Sequence, residues 1–589
     1  MEIHIIPQPR YVVSEGEKSG LKTSGLEAEL SMPQEDERLV SHAKEIFAGL
    51  TVRAENRGCY SLVCNIKEYD PVLADRSVGK TDGYSLRTGK GTLELYADTA
   101  PGLFYGMMTV KQLTETYGEL PQVTVVDWAD MKLRSDYLDL RTIYPTYDHM
   151  LEYIGKLAEF KLNTLVIEYE DKLPFQKMKF LCHPEYAFTM EEFQEILETA
   201  RRNFIKIIPL QQSFGHLEYV LKHEKYRSLR EIPQAVGEMC PLRQGALELS
   251  RALLEETAAL HPQAEYLHIG CDEVWSLGSS RECMESGKSR EEIFIEYVNR
   301  LVDMVCALGK KPVLWHDMIA RCGEAELSRL DKRVIAAVWI YNGNDLRHQA
   351  VPMIRKLRKQ GIRVLGAGAV RSGDGNGDQN YPVVQNRIPN LDGWSRIVVE
   401  EQLEGMINTN WASPFSLGRP YGLYESAFYT IIYGAERCWN QKEGTMDFLD
   451  RFFHVFHGVP DSRLADRGYM AEDYYNLIPQ MCSEITRNQE TARLIEVMRR
   501  YEHAMNLHFP AHSQMFRLAM FPGREEEALS LRAKADYTYR TLEGVKKDME
   551  EAVSGLLRAS MADLFLRSRF YLPELYERNI RKLLEGQDE

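Results

Sequence analysis

Between residues 130 and 435 the chain alternates two hydrophobic periods. Eight short apolar runs recur: LRSDYLDLR, LNTLVIEYED, FIKIIPLQQ, EYLHIGCDE, KPVLWHD, RVIAAVWIY, IRVLGAGAV and LEGMINTNW. After each, apolar residues return every three or four positions. Short apolar runs with polar ends predict buried strands, and the 3.6-residue period predicts helices. Regular strand–helix alternation predicts a parallel sheet, and eight such units predict a (β/α)8 TIM barrel. Upstream, GYSLRTG and GTLELYAD read as strands, and GLFYGMMTVKQLTETYG as a helix with Leu103, Met107, Val110 and Leu113 on one face. Downstream, TARLIEVMRRYEHAM and KADYTYRTLEGVKKDMEEAVSGLL read as long amphipathic helices. The predicted class is therefore α/β: a small α/β domain over 1–127, the barrel over 128–437 and a mainly helical C-terminal domain over 438–589. No low-complexity linker separates them, so the parts are expected to pack together.

The strand ends add chemistry to this picture. Arg141, Glu170 with Asp171, Gln211 with Gln212, Asp272 with Glu273, Trp315 with His316 and Asp317, Trp339 with Tyr341, and Trp411 all fall at or just past the C-terminal end of a predicted strand. The C-terminal face is where barrel active sites lie, so these side chains are expected to converge. A strand that merely ends at solvent explains the charges but not three tryptophans at three strand ends. Aromatic walls around carboxylates with one arginine suit a sugar, whose apolar faces stack on rings and whose hydroxyls bond to charged groups. The glycine-rich GAGAVRSGDGNGD lacks the GxGxxG-plus-helix context of a dinucleotide site, and no phosphate-cradling loop ending in Lys-Ser/Thr occurs.

Charge and cysteine usage narrow the partners. A formal net charge of −15 argues against nucleic acid and against an anionic membrane surface. The N-terminus MEIHIIPQPRYVV has no basic flank followed by a long apolar core, and no apolar run is long enough to span a bilayer. The ten cysteines form no CxxC pair, which reads as reduced core residues in a cytoplasmic protein. Neither HExxH nor a His-x-His at the first strand end is present, so His216, His268 and His316 are read as hydrogen-bonded support residues and no metal or cofactor is expected.

The most informative stretch is Tyr266–Trp275, YLHIGCDEVW. An adjacent Asp272–Glu273 pair at a strand end is a metal site, a salt-bridged turn, or an acid catalyst with its helper. HIGCDEVW resembles the His-x-Gly-x-Asp-Glu signature of family 20 glycoside hydrolases, the β-N-acetylhexosaminidases. IIPLQQSFGHLEYVLKHEKYRSLRE and NTLVIEYEDKLPF resemble its hexosaminidase D branch, and IIPQPRYV and DTAPGLFYGMMTVKQL resemble the small domain preceding the barrel in that family. The resemblance implies a retaining exo-hydrolase that removes terminal β-linked GlcNAc or GalNAc, with the substrate's own acetamide oxygen as nucleophile. It implies Glu273 as general acid/base and Asp272 as the residue that orients the acetamide. Strand alternation would set His268, Gly270 and Asp272 on one face, with Glu273 starting the loop. One carboxyl of the pair is expected to have a raised pKa.

Arg141, Trp315, Trp339, Tyr341, Trp411 and Glu425 are the implied sugar-binding residues, with Tyr381 a second candidate for the acetamide-binding tyrosine. Only Leu140 separates Asp139 from Arg141, where the family usually has two residues. His216, His268 and Asp317 are the implied supports. The expected partner is a small β-linked N-acetylhexosaminide. Two rival readings stand beside this one: an acetamido-sugar hydrolase of the O-GlcNAc-removing type, and a sugar-binding barrel without catalysis.

Overall fold

The computed structural model describes residues 2–54, 59–66, 69–342, 344–374, 380–413, 418–441, 445–460, 463–521 and 525–585. Part of the glycine-rich stretch, 375–378, lies outside them. The first seven strands are β1 (Tyr11–Lys18), β2 (Glu27–Met32), β3 (Gly49–Ala54), β4 (Tyr60–Cys64), β5 (Tyr84–Gly89), β6 (Thr92–Ala97) and β7 (Pro121–Asp127). They form one sheet in the order β1-β7-β5-β6-β4-β2-β3, antiparallel except for β2 with β3. The helix Ala100–Tyr117 packs on this sheet. Thr99 caps it by accepting from the Gly102 N–H, Pro101 sits in its first turn, and Gly118 ends it at φ 70°.

The next eight strands are β8 (Leu133–Asp139), β9 (Thr164–Glu168), β10 (Lys206–Leu210), β11 (Tyr266–His268), β12 (Lys311–Trp315), β13 (Ile335–Trp339), β14 (Arg363–Arg371) and β15 (Gly405–Asn410). All pair in parallel and close into a barrel, so each of the eight apolar runs supplies one strand. Strand alternation divides their side chains between two cores. Leu133, Tyr137, Ile208, Val313, Trp315 and Leu365 fill the barrel, whereas Leu138, Leu165, Ile167, Leu314, Ala336 and Val364 join the shell of helices outside. Full-length helices follow most strands, two of them opened by reciprocal capping boxes, Thr189 with Glu192 and Ser289 with Glu292. Between β12 and β13 only two short helices occur, Asp317–Ala320 and Glu324–Arg329.

Beyond the barrel, three long helices, Gln489–Met520, Glu525–Val553 and Ala559–Glu585, pack on one another. The parts are locked by buried polar contacts. Asp127 Oδ2 accepts from Tyr84 Oη, Lys161 Nζ and Trp439 Nε1 at 3.0, 3.1 and 2.9 Å, which ties the first sheet to the turn before β9 and to the helix Phe428–Trp439. Burial lowers the Lys161 pKa, and the Asp127 charge opposes that shift. No helix among the described residues is long and apolar enough to cross a membrane.

Candidate active site

The turn after β11 departs from strand geometry within two residues. β11 ends at His268, and Gly270, Cys271 and Glu273 all take positive φ (66°, 69° and 50°). The expected alternation of His268, Gly270 and Asp272 on one face therefore does not continue, because the backbone leaves the extended conformation there. Left-handed backbone at Cys271 and Glu273 is strained for residues with a Cβ, and such strain persists only where surroundings over-determine it. Those surroundings are present. A Cβ on Gly270 would collide with the Gln212 side chain, and one on Gly215 with the Asp272 carbonyl. The Glu273 N–H donates to Asp317 Oδ2 at 3.0 Å, and Ser276 donates through its N–H and Oγ to Glu238 Oε2 at 2.6 and 2.8 Å.

This turn presents Asp272 and Glu273 to a cavity of about 250 Å³ at the C-terminal end of the strands. Arg141, His216, Trp339, Tyr341, Ser372, Gly373, Trp411, Ser413 and Tyr421 complete its walls. His216 Nε2 stands 3.4 Å from both Asp272 Oδ2 and Glu273 Oε2. Burial acts to lower the His216 pKa, but Asp272 beside it wins, and the group is raised well above its ordinary value. For Asp272 burial acts upward, and His216 brings the net below the ordinary value. The Asp317 carboxyl, behind the pair, rises to about 7 through burial and then the Asp272 charge.

Among the described residues, three buried polar atoms on cavity-lining residues lack a hydrogen-bond partner. They are Asp272 Oδ1, Trp411 Nε1 and the Tyr341 hydroxyl, which lies near Thr409 and Trp411 without hydrogen-bond geometry to either. Tyr341 stacks on Trp339 (5.3 Å between ring centres, 20° between planes). Its backbone is held from behind, since Arg387 donates to the Tyr341 carbonyl at 3.1 Å, and Asn390 and Trp394 donate to the Ile340 carbonyl. Arg141 is aimed by Asp139, which accepts from its Nε at 2.9 Å and its Nη2 at 2.8 Å, and its guanidinium carbon lies 5.2 Å from the Trp411 ring centre. The one-residue spacing between Asp139 and Arg141 is what permits this bidentate grip.

Three sequence expectations need correction. Trp315 is fully buried and does not line the cavity: it pairs in register with Ala337, one strand step below Trp339, and packs on His268 at 4.4 Å and Tyr137 at 6.0 Å. Glu425 is buried away from the cavity, its carboxylate against the His149 ring. Tyr381 bonds to Glu502 and Arg499 and stacks on Tyr475, so it is not at the site. His268 packs beneath, its Nδ1 accepting from the Gly270 N–H at 3.0 Å, and burial takes its pKa down to about 3. Residues that the strand-end pattern missed are Ser372, Gly373, Ser413 and Tyr421, from the loops after β14 and β15. No period or motif marks such loop positions.

A larger cavity of about 740 Å³ opens at the N-terminal end of the same strands, near Leu133, Thr164, Lys206, Tyr266 and Lys311. Its carboxylates, Glu198, Glu265 and Glu404, are each paired with Arg201, Lys311 and Arg363, so it offers no comparable reactive pair.

Comparison with known proteins bears on this arrangement. The family model for "Glycosyl hydrolase family 20, catalytic domain" matches residues 132–367, and that for "Glycosyl hydrolase family 20, domain 2" matches residues 2–128. Hexosaminidase D of Bos taurus is 29% identical over 290 residues, covering 47% of this chain and 84% of its own length. Hexosaminidase D of Homo sapiens is 31% identical over 291 residues, covering 48% of this chain and 60% of its own. The solved β-N-acetylhexosaminidase of Bacteroides fragilis superimposes with a TM-score of 0.61 at 18% identity, covering 80% of this chain and 98% of its own. The two family models tile the first sheet and most of the barrel, the Asp272–Glu273 turn included, and on that match the chain belongs to glycosyl hydrolase family 20.

Proposed function

We propose that the protein is an exo-β-N-acetylhexosaminidase, removing terminal β-linked GlcNAc or GalNAc with retention through an oxazolinium formed by the substrate's own acetamide. Family 20 enzymes use this substrate-assisted route. The observation that carries the reading for this chain is two of these partnerless polar atoms, one on Asp272 and one on Tyr341. Asp272 Oδ1 is an acceptor and the Tyr341 hydroxyl a donor, both buried beside one small cavity. An acetamide has the complementary set, one N–H and one carbonyl oxygen.

In this reading Asp272 accepts from the acetamide N–H and balances the positive charge that develops as its oxygen attacks carbon 1. Tyr341 holds that oxygen in line. Glu273 protonates the departing oxygen and later takes a proton from water. Trp339 and Trp411 enclose the sugar, and Arg141 Nη1, which has no partner among the described residues, reaches its hydroxyls. His216 keeps Asp272 ionised. A cytoplasmic site of action is part of the proposal, supported by ten cysteines that are all free.

The deciding experiment compares aryl β-glycosides that differ only at carbon 2. Substrates with the acetamide should turn over, and the plain β-glucoside should not, because it has no internal nucleophile. Proton NMR should show the β-anomer released first, and a thiazoline mimic should bind far more tightly than substrate. Brisk cleavage of the plain glucoside, or first release of the α-anomer, refutes the mechanism.

A further inference from the structure

Among the described residues, Glu231, Cys240 and Cys283 bring three possible ligand atoms within 4.8 Å of one another. All three are buried, and they lie far apart in sequence, so no local CxxC pattern announces them. Glu231 and Cys240 come from the loop after β10. Cys283 comes from the short helix Arg281–Glu285, at the end of the loop that begins with Asp272 and Glu273.

The geometry is specific. The sulfurs of Cys240 and Cys283 are 3.8 Å apart, and Cys283 Sγ is 3.7 Å from Glu231 Oε2. A tetrahedral zinc with Zn–S near 2.3 Å and Zn–O near 2.1 Å has edges of about 3.8 Å between sulfurs and about 3.6 Å between sulfur and oxygen. A disulfide would need the sulfurs at about 2.0 Å and would leave Glu231 unexplained. Glu231 Oε1 accepts from the Gly278 and Ser280 N–H groups at 2.9 and 2.8 Å, which aims Oε2 at the thiols. The carboxylate is fully buried and has no cationic side chain as a partner among the described residues, and a buried charge of this kind calls for a counter-ion. Ser280 Oγ, 3.2 Å from Cys240 Sγ, is in place to supply a fourth donor.

We propose that Glu231, Cys240 and Cys283 form a structural site for a thiophilic divalent cation, zinc by its donor set, which ties the loop after β10 to the loop carrying Asp272 and Glu273. Two thiolates and a carboxylate more than neutralise such an ion, leaving one net negative charge, and soft sulfur donors select it over magnesium or calcium. The site lies outside the catalytic cavity and takes no part in the reaction. The alternative is a metal-free hydrogen-bonded relay from Cys240 through Cys283 to Glu231.

The test is metal content of the full chain, purified without a polyhistidine tag and dialysed against a weak chelator. Wild type should hold about one zinc per chain, and Cys240→Ser and Cys283→Ser less than about a tenth of that. Cys283→His keeps a zinc ligand and should keep most of the metal, which separates lost ligation from lost folding. Cobalt-loaded wild type should show a sulfur-to-cobalt charge-transfer band, reduced by about half in Cys283→His. Folded wild type without metal, zinc content unchanged in both serine variants, or an intact mass showing a disulfide would each overturn the proposal.

Discussion

Replacing His216 by Asn tests the electrostatic core of the site. His216 sits at φ 50°, a backbone conformation that Asn tolerates better than most residues, so the exchange removes the charge without forcing the turn. The imidazole Nε2 lies 3.4 Å from a carboxylate oxygen of each neighbour. At an effective dielectric constant near 20, one such pair is worth at most about 5 kcal/mol. Glu273 is more than a third exposed and the cavity opens to water, so only the buried Asp272 pair counts, and screening and desolvation reduce it to about 1–3 kcal/mol.

The window follows from the two shifts. His216 is raised, so its contribution is full below about pH 6.5 and is lost as pH rises through its higher folded value. Asp272 is lowered, so its contribution is full above about pH 3.9 and is lost as pH falls through its lower folded value. Both are fully present between about pH 4 and 6.5. In urea unfolding at pH 5.5 the Asn variant should therefore lose about 1–3 kcal/mol. Burial then acts on Asp272 with only a backbone hydrogen bond and the Arg141 charge against it, and the acid limb of kcat/KM should move up by about 1–2 pH units. An acid limb and a pH 5.5 stability both unchanged would show that His216 does not hold Asp272 ionised.

Other outcomes follow from the same geometry. Glu273→Gln should slow a natural disaccharide by about a hundred- to ten-thousand-fold and an activated aryl glycoside much less, as read from kcat across leaving groups of rising acidity. Asp317→Asn keeps an acceptor for the Glu273 N–H but removes a carboxyl whose folded pKa, about 7, lies above its unfolded value. Such a group destabilises the fold increasingly above about pH 4, so the variant should gain about 1–3 kcal/mol at pH 8 and nothing near pH 4 in denaturant titrations. Glu425→Gln breaks the buried pair with His149, and should lower stability by about 1–3 kcal/mol while leaving KM for the sugar unchanged. A several-fold rise in KM would return Glu425 to the cavity.

The barrel was legible because each strand is buried on both faces and so reads as an unbroken apolar run with a polar end. That same signal could not rank the three tryptophans at those ends. Trp315 and Trp339 both close a strand and both point inward. The stagger of the barrel sets Trp315 level with Ala337, beneath Trp339, and stagger leaves no mark in a single strand's pattern. Glu425 misled for a different reason: the resemblance implied a sugar contact, but the residue beside its carboxylate, His149, comes from the helix after β8. The Asp272–Glu273 turn was recognisable from its residues, yet its left-handed backbone was not. Period-two reasoning assumes extended geometry, and only one of the three positive-φ positions is a glycine.

The C-terminal helices explain why the rim can be built from loops at all. Tyr421 lines the cavity, and its backbone carbonyl accepts from Arg569 Nη2 at 2.9 Å, with Arg569 buried in the helix Ala559–Glu585. Arg569 Nε also donates to Asn380 Oδ1 at 3.3 Å, and Arg419 Nη1 donates to the Ser568 carbonyl at 2.6 Å. On the far side, the Thr146 N–H, at the start of the helix after β8, donates to the Leu556 carbonyl at 3.0 Å. The tail thus grips the loops after β8, β14 and β15, three neighbours in the barrel, while the Asp272–Glu273 turn after β11 is held by Asp317, Gly215 and Glu238. Loops on barrel strands lack the mutual hydrogen bonds that fix the strands themselves, so a site made of them needs support from outside the barrel. Here Asp272 and Glu273 are fixed by the barrel's own loops, and the opposite wall by the helices beyond it. Burial takes the Arg569 pKa down to about 9, the cost of placing a guanidinium under that wall against carbonyl, amide and hydroxyl oxygens.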